Sequence, residues 1–227
     1  DPYLSRGLGD VYKRQNTFAV GQDMDGQLTV TDSGRSVTFL NTAEVNVNGN
    51  NGNDTITVGD ISDVGLVALT INGGENDDAI DASAGVLGSQ LVLELNGGNG
   101  LDTITGSSGA ETINGDDGND SLLGGGGNDT LNGGDGDDAL NGDAGDDLVD
   151  GGAGNDLVNG GDGNDSLLGG SDQDTLDGQD GDDTLVGGFG DDNLVGNRGD
   201  DSLSGGLGAD TLVGAAGDDT LDGGRND

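Results

Sequence analysis

Carboxylates at a fixed spacing are the chemistry-bearing feature of this chain. From Asp102 an acidic residue recurs every nine positions: Asp102, Glu111, Asp120, Asp129, Asp138, Asp147, Asp156, Asp165, Asp174, Asp183, Asp192, Asp201, Asp210 and Asp219. Each closes a glycine-rich run, as in GGDGDD from Gly133. A carboxylate combined with the carbonyls of a tight turn supplies the hard oxygen ligands that calcium prefers. Catalytic chemistry is poorly served. The chain has no His and no Cys, which removes zinc and iron–sulfur sites, thiol nucleophiles and imidazole acid–base work. Neither HExxH nor GxSxG occurs, so the chain reads as a binding module and not as an enzyme.

The elements that position these carboxylates must be built from unusual material. The 227 residues include 51 glycines, aromatics make up 2%, and the formal net charge is −39. Low hydrophobicity with high charge leaves too little apolar burial to offset chain entropy. The surplus of acid without basic partners points to bound cations and argues against nucleic acid. No apolar run reaches the length of a membrane span, and no secretory leader is recognisable. An export signal is therefore expected outside this stretch of sequence.

Internal periodicity decides the architecture. Gly97 to Asp222 is fourteen consecutive nonapeptides without insertion or deletion. The first position is always Gly, and the fourth is Gly in all but one, where Asp172 stands. The sixth is Asp in all but one, where Glu111 stands, and the eighth is always Ile, Leu or Val. Glycines at one, two and four predict a six-residue turn with positive φ that brings its backbone close to an ion. The glycine pairs Gly97 and Gly100, Gly124 and Gly127, Gly133 and Gly136, and Gly151 and Gly154 belong to such turns. So do Gly160 and Gly163, Gly187 and Gly190, and Gly205 and Gly208. The next three residues predict a short strand whose middle, aliphatic residue points inward.

A second period of eighteen residues is also present. Counting from Gly97, the second position is Gly in six of the seven odd units, while five of the seven even ones carry Ser107, Asp143, Gln179, Asn197 and Ala215. Two nonapeptides per coil follow, with odd turns along one edge and even turns along the other. Upstream, GNNGNDTIT from Gly49 and GGENDDAID from Gly73 lie 24 residues apart, and Gly97 lies 24 further on. Residues 49–96 thus read as wider coils with ion turns on the odd edge alone. Residues 16–48 alternate as strands (FAV, LTV, SVTFL, EVNVN) broken by DGQ and DSGR, a strand-rich capping segment. Residues 1–15 hold the only Pro, and DVYKRQ resembles the translated end of a sequencing-library transposon. That stretch is set apart as non-native. The fold class is all-β, a parallel β-roll or β-solenoid.

The repeat GGxGxDxUx, with U aliphatic, resembles the calcium-binding nonapeptide of the repeats-in-toxin family over residues 49–227. The resemblance implies calcium ions between stacked turns, with aspartates of both turns contributing. The odd row would be Asp54, Asp78, Asp102, Asp120, Asp138, Asp156, Asp174, Asp192 and Asp210. The even row would be Asp129, Asp147, Asp165, Asp183, Asp201 and Asp219. Glu111 would head the even row, its longer side chain leaving open whether it is a ligand. The rows allow at most about fourteen between-turn sites. Asn76 and Asp172, replacing the fourth-position Gly, imply distorted turns at 73 and 169. The Asp or Asn at position five reads as a solvated turn former, and Phe189 as an isolated surface aromatic.

The resemblance further implies a secreted module, exported unfolded by type I secretion through a signal not present in this stretch, and folded outside by calcium. Two contexts stay open: a segment of a large surface adhesin, or the non-catalytic tail of a secreted protease, lipase or alginate epimerase. Ice binding is disfavoured, because the third turn position carries no Thr.

Overall fold

The computed structural model describes residues 17–22, 28–32, 35–39, 44–59, 61, 68–85 and 91–225, the first three stretches as backbone. Residues 1–16, and with them the segment set apart as non-native, lie outside the described residues. Twenty-two strands and no helix are present among the described residues.

The first three strands, β1 (Thr17–Gln22), β2 (Leu28–Asp32) and β3 (Arg35–Phe39), form an antiparallel meander. Then β4 (Glu44–Asn51) and β5 (Thr55–Val58) begin two parallel sheets. Every later odd-numbered strand, to β21 (Thr211–Ala216), adds to the sheet of β5, and every even-numbered one, to β22 (Thr220–Asp222), adds to that of β4. The meander joins the first sheet through β1, which runs parallel to β5 with Thr17 opposite Thr55. The chain therefore crosses between sheets at each turn and returns to the same sheet one coil later, making the parallel β-roll that the eighteen-residue period predicts.

Strand length differs from expectation. In β13 (Ala139–Ala144) and β15 (Leu157–Asp162) pairing continues from positions seven to nine into positions two and three of the next unit. The strand is six residues long, and positions four to six alone make the turn. Side chains alternate along it by the two-residue period. Asp138, Leu140 and Gly142 face inward, and Ala139, Asn141 and Asp143 outward.

The core is one file of aliphatic side chains per sheet, including Leu122, Leu140, Val158, Leu176 and Leu194 on one and Leu131, Val149, Leu167, Leu185 and Leu203 on the other. The 24-residue coils are wider because each strand of the second sheet buries two: Val45 and Val47, Leu69 and Ile71, Leu93 and Leu95. Position nine of these coils adds a ladder of side-chain amides. Asn72 donates to Asn48 at 2.6 Å, Asn96 to Asn72 at 2.9 Å, and Asn114 to Asn96 at 2.7 Å. Phe189 is 65% exposed, a surface aromatic.

Candidate metal centre

Each turn sets its sixth-position carboxylate across from its own first glycine, inside the roll. A side chain on Gly133 would have its Cβ 2.3 Å from Asp138 Oδ2 and 2.4 Å from the carbonyl oxygen of Gly151, one coil on. Position one is thus glycine for space. It takes no positive φ, in contrast to expectation, whereas positions two and four do: φ is 111° at Gly134 and 142° at Gly136. The substituted fourth positions keep that backbone, with φ of 80° at Asn76 and 79° at Asp172. The distortion expected there is absent, because Asn and Asp are the side chains that best tolerate left-handed geometry.

The polar groups of Asp138 can be accounted for one by one. Its N–H donates to Asp156 Oδ1 at 2.9 Å, and its carbonyl accepts from Leu157 N–H at 2.9 Å. Its Oδ1 accepts the N–H of Asp120 at 2.7 Å. Its Oδ2, buried, has no hydrogen-bond donor. The same condition holds at Asp78, Asp102, Asp120, Asp129, Asp147, Asp156, Asp165, Asp174, Asp183, Asp192, Asp201 and Asp210.

The carboxylates form two ladders. On the odd edge Asp54 N–H donates to Asp78 Oδ1 at 2.6 Å, and the chain of bonds continues through Asp102, Asp120, Asp138, Asp156, Asp174 and Asp192 to Asp210. On the even edge it runs from Glu111 through Asp129, Asp147, Asp165, Asp183 and Asp201 to Asp219. Among the described residues no group of three or more acidic side chains converges on one point. The buried Oδ2 of Asp138 and the carbonyl oxygen of Gly151 instead approach one point, at Gly133.

Burial pushes up the carboxyls from Asp78 to Asp192 on the odd edge and from Asp129 to Asp201 on the even edge, opposed by the N–H of the preceding coil and reinforced by nearby like charges. Asp78, Asp129, Asp174 and Asp183 rise to about 7. Asp102, Asp120, Asp138, Asp156 and Asp165 rise to about 6. A buried carboxylate oxygen without a donor is costly. A cation among hard oxygen donors removes that cost, so these residues fit calcium.

Position five has a role that sequence reasoning missed. Its side-chain oxygen accepts the backbone N–H of position five one coil later. Asp146 N–H donates to Asn128 Oδ1 at 3.1 Å, and Asn164 N–H to Asp146 Oδ1 at 2.9 Å. Asp182 N–H donates to Asn164 Oδ1 at 2.9 Å. This ladder points opposite to that of position six, so stacked turns are tied in both directions. The Asp/Asn restriction at position five was the available signal.

Fold and site together define a parallel β-roll whose stacked turns carry buried carboxylates. The family model for the RTX calcium-binding nonapeptide repeat matches residues 46–60, 94–122, 123–158, 159–194 and 195–227, and the chain belongs to that family. No curated protein matches the chain. Among the described residues no helix is long and apolar enough to cross a membrane.

Proposed function

We propose that the chain binds calcium between successive turns along both edges, and that these ions complete the folding of a secreted module. The observation that carries this is the row of buried Oδ2 atoms without donors. Asp78 to Asp210 on the odd edge and Asp129 to Asp219 on the even edge would hold the ions together with turn carbonyls. Calcium supplies charge neutralisation and no covalent chemistry. With a net charge of −39, repulsion opposes the compact state wherever calcium is scarce, which suits passage through a narrow type I export channel. Extracellular calcium modules bind at ~10⁻⁴–10⁻³ M, a range that suits folding after export.

Far-UV circular dichroism tests this reading. In chelator most of the β signal should be missing, and millimolar calcium should restore it. Magnesium should do so far less well, because it demands tight octahedral geometry. An equal β signal in chelator and in calcium would sink the proposal.

A further inference from the structure

The turn Gly106–Glu111 differs from the other turns of the nonapeptide array in three independent respects. Its carboxylate is already satisfied. Ser107 N–H donates to Glu111 Oε2 at 2.8 Å, and Ser107 Oγ–H donates to Oε1 at 2.7 Å. Ser107 Oγ in turn accepts Gly109 N–H at 3.0 Å. Both side chains are buried, and Glu111 has no oxygen lacking a donor, unlike Asp102 and Asp120 on either side.

Its backbone also departs. In the next two turns positions two and four are left-handed, with φ of 76° at Asp116 and 139° at Gly118, then 100° at Gly125 and 108° at Gly127. Neither Ser107 nor Gly109 adopts that conformation. The strand leading into the turn, Thr103–Thr105, stops at position nine, whereas Ser121–Gly126 one coil later runs on to position three. The ladder bond is kept all the same, since Glu111 N–H donates to Asp129 Oδ1 at 2.7 Å.

From these observations we infer that Gly106–Glu111 is a metal-free turn, closed by its own side chains. The inference rests on the calcium reading of the remaining turns. Glutamate is one methylene longer than aspartate, so its carboxylate bends back to the head of its own turn. Both oxygens already accept a charge-assisted hydrogen bond, so a cation relieves less uncompensated charge there than at a buried Oδ2 without a donor. The even edge therefore starts on a rung that stands without an ion, and its ion-type carboxylates start at Asp129. The turn adjoins the end of the asparagine ladder at Asn114, a second ion-independent tie in the same coil.

Counting calcium bound at saturation by equilibrium dialysis tests the inference, with β-type circular dichroism in calcium as the check on folding. Glu111→Gln keeps acceptor capacity but not charge, and should bind as many ions as the natural chain. Asp129→Asn should bind one fewer. Ser107→Gly combined with Glu111→Asp converts the turn to GGSGAD and should bind one more. An ion lost from folded Glu111→Gln would overturn the inference, as would a folded double variant that gains none. A natural chain that binds no calcium would instead refute the calcium reading itself.

Discussion

The N–H of Asp120 donates to Oδ1 of Asp138 at 2.7 Å, eighteen residues further along the chain. One carboxylate thereby fastens two coils, and its second oxygen is left buried between them without a donor. Position six is a rung of the structure and, under the calcium reading, also an ion ligand, which makes its substitutions informative.

Removing one carboxylate should affect neighbours eighteen residues away and spare those nine away. Asp138→Ala deletes an acceptor for Asp120 and an ion ligand next to Asp156. A charged hydrogen bond contributes roughly 1.5–3 kcal/mol, so about tenfold weaker calcium binding is expected at the sites shared with those two residues. Hydrogen exchange in limiting calcium should rise around Asp120 and Asp156 and stay unchanged around Asp129 and Asp147. Equal loosening at all four would contradict the two-edge arrangement.

Space, not φ, should govern position one. Gly133→Ala places a methyl group against Asp138 Oδ2 and the Gly151 carbonyl, and overpacking of this kind costs about 1–3 kcal/mol. Thermal unfolding in calcium should shift downward and the calcium midpoint upward. At position two, Ala215 already carries a side chain in a left-handed turn with φ of 78°, beside Asn197 with φ of 74° at the same position one coil earlier, so Ala215→Asn should be tolerated. If Ala215→Asn proved as damaging as Gly133→Ala, the spatial account of position one would fail.

The position-five ladder should contribute stability without holding ions. Asn128→Ala removes an exposed acceptor for Asp146 N–H, a bond contributing about 0.5–1.5 kcal/mol. The melting temperature in calcium should fall modestly, while the number of bound ions at saturation stays the same. Loss of an ion would make position five a ligand.

Acid should substitute in part for calcium. The folded carboxyls titrate above their ordinary value of 3.8, at about 6 for Asp138 and about 7 for Asp129. Raised values mean that folding favours the protonated form. This stabilisation is fully present below the unfolded value and is lost as pH rises through about 6 to 7. In chelator the β signal should therefore grow as pH falls from about 8 to about 5. With calcium present the trend reverses in affinity, because protons must leave before the ion enters, and the calcium midpoint should rise over the same interval. A chelated chain with equal β signal at both ends would contradict the burial of these groups.

Much of the site is legible in the sequence because it is periodic. The nine-residue recurrence of Asp with an aliphatic residue two places later defines turn and inward strand residue. The alternation of Ser107, Asp143, Gln179, Asn197 and Ala215 with glycine gives the eighteen-residue coil. The 24-residue spacing of Gly49, Gly73 and Gly97 marks the wider coils, which the structure fills with two aliphatic residues per strand. Contacts between coils were decided only in three dimensions. They explain why position one excludes a side chain and why position five is Asp or Asn in ten of the fourteen units. They show that strand pairing passes through the glycines, and that Asn76 and Asp172 keep their turns intact. Within one turn, Glu111 reads as an imperfect aspartate, and only folding brings its two oxygens onto Ser107. Local spacing fixes which way a side chain points, whereas the partner that satisfies each polar atom is set by a neighbouring coil or by the path of the turn.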